Sequence, residues 1–116
     1  MDAAAWDDAR ASAMQAIEHA DALGNRGWQA SLWRLISELE LQRGNRQAAR
    51  EALDTARQAL ADATEALEDG RIHVQASRLA RSEGLLSEAA AEIQAARKIF
   101  MRLGATLDLM RSESLT

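Results

Sequence analysis

Apolar residues recur along most of this chain at spacings of three, four and seven, the interval that lines one face of an α-helix. Trp28, Leu32, Leu35, Ile36 and Leu39 form one such stripe, which predicts Trp28 in the core. Gly44 follows the stripe, and glycine suits the left-handed residue just past a helix end. Asn45 can then cap the next helix by accepting a bond from its exposed amides, and Asn25 can do the same after Gly24. The pattern is helix, tight turn, helix, repeated. It predicts six helices, over residues 3–23, 26–43, 46–62, 66–83, 86–103 and 105–114. The join from Thr64 to Gly70 is the least marked. Thr64 stands where the repeat predicts a glycine, and the Ala and Glu residues that follow would let the third helix run on to Gly70.

The turns reveal a period. Gly44 and Gly84 lie 40 residues apart, and Gly24 and Gly104 lie 80 apart, each of the latter after a leucine, Leu23 and Leu103. The same shift of 40 superposes Ala9, Ala49 and Ala89, then Ala13, Leu53 and Ile93, then Ala16, Ala56 and Ala96, then Ala20, Leu60 and Phe100. On the other helix Leu32 meets Ile72, Ile36 meets Ala76 and Leu39 meets Leu79. A period of this length marks stacked supersecondary units. The chain divides into a half-unit 1–24, units 25–64 and 65–104, and a partial unit 105–116. The expected fold is all-α, antiparallel helical hairpins stacked side by side. Arrays of this kind need about three units for stability. The chain is therefore expected to be a segment of a longer array or to be completed by self-association, as a homodimer.

Composition narrows the classes. There is no Pro and little that is β-branched or aromatic, while Ala, Leu, Arg, Glu and Gln favour helices. The absence of Cys excludes disulfides, thiolate metal sites and thiol nucleophiles, and fits a reducing compartment. No stretch approaches the roughly 20 apolar residues of a membrane helix. The start, Met1 to Asp8, is acidic and lacks the basic and apolar regions of a signal peptide. The expected location is the cytoplasm. A net charge of −4 argues against binding a nucleic-acid backbone, which demands a basic face, and gives no reason to expect an anionic membrane. Lys98 is the only lysine; this arginine bias, with the abundance of Ala, is also what a GC-rich coding sequence would produce.

The segment Trp33…Ile36-Ser37…Gly44…Ala49…Leu53…Ala56 resembles the tetratricopeptide repeat. Ala76-Ser77…Gly84…Ala89…Ile93…Ala96 is similar, with His73 at the early large position. Ser37 and Ser77 stand where the family has a small glycine, the closing proline is absent, and the period is 40 rather than the usual 34. The stretch Ala95 to Ala105, with Phe100, Leu103 and Gly104, is similar to turns in the long-repeat arrays of bacterial signalling and regulatory proteins. The resemblance implies a short right-handed solenoid that binds a protein or peptide on its concave face, without a cofactor. First helices line that face in the family. The matching positions include Ser31, Arg34, Glu38, Leu41 and Gln42, then Arg71, Val74, Arg78, Arg81 and Ser82. The expected partner-binding set is Arg34, Glu38, Arg71, Val74, Arg78 and Arg81.

Arg71, Arg78 and Arg81 sit seven and three apart, on one side of one helix, and arginine forks suit carboxylates. An acidic segment or a chain-terminal carboxylate is the expected partner; the plain alternative is a solvated stripe paired with neighbouring Glu. Trp33 falls on the family's large early position and is expected to pack between units, whereas Trp6 either packs on the next helix or marks an interface at the end of the array.

Catalytic chemistry has little to build on. His19 and His73 lack a third ligand at a suitable spacing, and zinc requires at least three protein ligands. Asp69 and His73 are four apart and can pair on one helical face. Gly24-Asn25-Arg26-Gly27 lacks the lysine and hydroxyl of a phosphate-binding loop. Glu65, Glu68 and Asp69 read as a solvated face near a helix start, and Glu38 and Glu40 point in different directions. No catalytic residue, metal site or cofactor is expected. The leading expectation is a protein-interaction or scaffold module. The alternatives are a small-molecule effector sensor, which needs a pocket with convergent polar groups, and a structural dimerisation element.

Overall fold

The computed structural model describes residues 2–61 and 65–115. Among them are six helices and no strand: α1 (Ala3–Leu23), α2 (Arg26–Gln42), α3 (Arg46–Leu60), α4 (Ala66–Ser82), α5 (Leu86–Leu103) and α6 (Thr106–Glu113). They pack in adjacent pairs, giving an all-α, repeat-like fold. The chain forms two compact units, Met1–Thr64 and Glu65–Thr116. No helix among the described residues is long and apolar enough to cross a membrane.

Four helix ends are built alike. The amides of Gly24, Gly44, Gly84 and Gly104 bond back to the carbonyls of Asp21, Leu41, Arg81 and Met101. The residue after each glycine bonds to the carbonyl one position earlier still, at Ala20, Glu40, Ala80 and Phe100. These bonds satisfy last-turn carbonyls that the helix leaves open, and they require a left-handed residue at the glycine. Gly44 has φ +87° and open space around it, so a side chain there is strained by the backbone alone. Gly44→Ala should therefore destabilise the first unit by about 1–2 kcal/mol, read from its urea midpoint. Asn25 caps α2 by accepting from the Trp28 amide at 3.0 Å, whereas the Asn45 cap on Ala48 is a long 3.5 Å. The third helix does not run on to Gly70: α3 ends at Leu60 and α4 starts at Ala66. Thr64, and Asp62 at the predicted end of the third helix, lie outside the described residues.

In the first unit α2 packs against both α1 and α3. Its buried side carries Gln29, Ala30, Leu32, Ile36, Ser37 and Glu40. Trp28, placed in the core by the sequence stripe, is 38% exposed, and Leu35 of the same stripe is 44% exposed. A helix between two neighbours buries a broad arc, and here its centre lies roughly a quarter-turn from the apolar stripe. Small and polar residues complete that arc. Trp33 packs on the core of Ile17, Ala20, Leu32, Ile36 and Ala52, beside Ala13, Met14 and Ala16. Trp6 is half-buried near the start of α1. Ion pairs tie α1 to α2 and to its C-cap residue: Arg10 Nε to buried Glu40 at 3.2 Å, and Asp7 to Arg43 at 3.2 Å.

In the second unit α4 packs against α5, and α5 against α6. Ile72, Leu79, Ile93, Ala96 and Phe100 are buried. Glu68 is buried too, against the solvated reading of that acidic cluster, because it falls on the helical stripe of Ile72, Gln75 and Leu79. Glu65 is exposed and Asp69 half-buried.

One contact repeats at the 40-residue shift. Ser37 Oγ donates to the Ala49 carbonyl at 2.8 Å, and Ser77 Oγ donates to the Ala89 carbonyl at 2.8 Å. Both serines are almost wholly buried. A side chain this small lets the two backbones of a hairpin approach closely, and its hydroxyl then ties one helix to the other.

Candidate interaction surface

The six sequence-predicted surface residues divide between the two units. On α2, Arg34 and Glu38 are four apart and satisfy each other, Arg34 Nη1 to Glu38 Oε2 at 2.6 Å. Both are partly buried. This is a local neutral pair on the helix surface, and its charge is largely cancelled.

On α4, Arg71 and Arg81 reach away from their own helix. Arg71 meets Asp108 of α6 through two bonds, Nε to Oδ1 at 3.1 Å and Nη2 to Oδ2 at 3.4 Å. This is the forked geometry in which guanidinium best matches a carboxylate. Arg81 Nη1 donates to the main-chain carbonyl of Leu115 at 2.8 Å. Arg78 is exposed between them and Val74 is half-buried. Beside Arg81 opens a cleft of about 320 Å³, walled largely by Leu86, Ala89, Ala90, Ile93 and Leu115. The row thus couples cationic forks to an apolar recess. The recess is built from Leu86, Ala89, Ala90 and Ile93, which follow the three, four and seven spacing of one α5 face, and from Leu115, which joins them only in three dimensions.

His73 bridges helices. Its Nδ1 lies 2.7 Å from Glu92 Oε2 of α5, and its Nε2 lies 3.8 Å from Asp69 Oδ1 one turn earlier on α4. The pairing with Asp69 follows from the spacing of four, but Glu92 is 19 positions away and could only be found in three dimensions. No group of three or more His, Cys, Asp or Glu among the described residues is arranged to hold a metal. His19 is exposed on α1.

The first unit holds a second concavity. A cleft of about 410 Å³ is lined by Asp21, Arg26, Gln29, Trp33, Thr55, Gln58 and Ala59. It joins polar groups from three helices beside Trp33.

Comparison of the chain with family models, with curated proteins and with solved structures gave no match.

Proposed function

We propose that this chain is a protein–protein interaction module of tetratricopeptide-like build, a regulatory or scaffold part of a bacterial signalling assembly in the cytoplasm. Its α4 arginine row receives an acidic segment of a partner. The observation that carries this reading is the Arg71–Asp108 fork: the row already holds a carboxylate, in the two-bond geometry such recognition uses. The kinship is supported by the Ser37 and Ser77 bonds, which join the family's small position to its second-helix alanine in both units. The reading is tested by affinity capture from the native host, with the intact chain and with an Arg78→Glu, Arg81→Glu variant. The captured protein should be lost from the variant, and unchanged capture sinks the proposal.

The first-unit cleft favours a second reading, a site for a small effector. Its polar lining and about 410 Å³ volume suit a ligand of metabolite size. Thermal stabilisation by one member of a metabolite panel, abolished by Trp33→Ala, would support it; an unresponsive melting temperature across the panel would remove it.

A further inference from the structure

The arginine row of α4 is occupied by the chain's own α6 segment, and the manner of occupation describes what else would fit. Asp108 fills the Arg71 fork, and Leu115, seven residues later, gives its carbonyl to Arg81. Asp108 sits in the first turn of α6, whereas Leu115 lies just past the helix end and meets Arg81 through its main-chain carbonyl. The Leu115 side chain helps wall the apolar cleft beside Arg81. The two contacts follow the same chain direction on α4 and α6, so the segment lies parallel to α4.

This hold is slight. α6 has eight residues, far fewer than an isolated helix needs to be stable. Ser112 is its one fully buried side chain, while Leu107 and Met110 are 58% and 61% exposed. A further tie, Arg97 to Glu113, is stretched to 3.8 Å and partly exposed. Such a surface pair adds little.

We propose that segment 106–115 is a displaceable resident occupant of this surface. The external partner is then an acidic segment with the same spacing, a carboxylate in a short helix followed seven residues later by an apolar residue just past the helix end. This rests on the functional reading of the α4 row and adds two things to it: a recognition pattern, and a competition that keeps the surface covered until the partner arrives.

The probe is a fluorescent peptide of residues 104–116 added to the full-length chain. Asp108→Asn removes the resident charge while keeping the side-chain shape. The peptide should bind that variant about tenfold more tightly than the unaltered chain, the scale of one charge-assisted fork. Arg71→Glu in the same background should abolish binding. In the unaltered chain, excess peptide should speed hydrogen exchange of the α6 amides, a readout that needs no variant to fold. Equal affinity for both chains, binding that survives Arg71→Glu, or no binding at all overturns the proposal. An acidic peptide of unrelated spacing that binds the unaltered chain without loosening α6 also overturns it, yet leaves the interaction-module reading standing. Peptide competition together with no protein captured from the host has the opposite meaning.

Discussion

Replacing Gly70 with Ala should destabilise the second unit by about 1–3 kcal/mol, the usual cost of overpacking a core. Inside a helix the same change ordinarily gains about 1 kcal/mol, so the sign is the test. Gly70 lies in α4, buried, and a Cβ built there would sit 2.5 Å from Cε1 of the Phe100 ring. Phe100 is 1% exposed and has nowhere to retreat. The 40-residue shift places Ala30 and Leu60, both buried, where the second unit has Gly70 and Phe100. The first unit combines a larger residue on one helix with a smaller one on the other. Phe100→Leu should therefore relieve Gly70→Ala, so that the double variant loses less than the two single losses combined. A coupling of about 0.5–3 kcal/mol is the range for residues in contact. Phe100→Ala alone should cost about 3–5 kcal/mol. Urea unfolding followed by helical circular dichroism measures all four, and strict additivity would refute the paired-volume account.

The repeated serine supplies the second large effect. Ser77→Leu should cost about 2–4 kcal/mol, combining overpacking with the loss of one buried hydrogen bond. The position is nearly sealed, and its hydroxyl lies 2.8 Å from the Ala89 carbonyl on the facing helix, so a branched side chain must push α4 from α5. Ser77→Ala should cost only about 1 kcal/mol, because the Ala89 carbonyl keeps its place in the α5 hydrogen-bond ladder. Ser37, with the same distance to Ala49, should behave alike in the first unit. Hydrogen exchange in α2 and α3 against α4 and α5 assigns each loss to its own unit. If Ser77→Leu melts at the unaltered temperature, the close approach of the two helices is not what holds the hairpin.

Local chemistry made most of the fold legible. The left-handed glycines at 24, 44, 84 and 104 stop helices because few other residues take that conformation without strain, and the stop is written in the residue itself. The Asn25 cap and the Asp69–His73 pair are equally short-range, and these and the period of 40 could all be read from spacing. The α4 arginine row was also legible as a row. What Arg71 and Arg81 touch was not, because Asp108 and Leu115 lie 37 and 34 residues away and announce themselves by no motif.

By itself, then, the sequence determined that the chain is helical, where most helices stop, and that its hairpins recur every 40 residues. Helicity and helix ends are fixed within a turn or two of the backbone, and the recurrence is read by comparing such local signals along the chain. The aligned apolar faces of α3, α4 and α5 are inside as read, but only the tertiary structure decided which side of α2 is inside and how far burial extends. It exposed Trp28 and Leu35, buried Ser37, Glu40 and Glu68, and set Phe100 against Gly70. The physical reason is that periodicity records the apolar side of a helix, whereas burial is set by how many neighbours it has and how closely they approach. With α1 on one side and α3 on the other, α2 buries small and polar groups that no hydrophobic stripe would reveal.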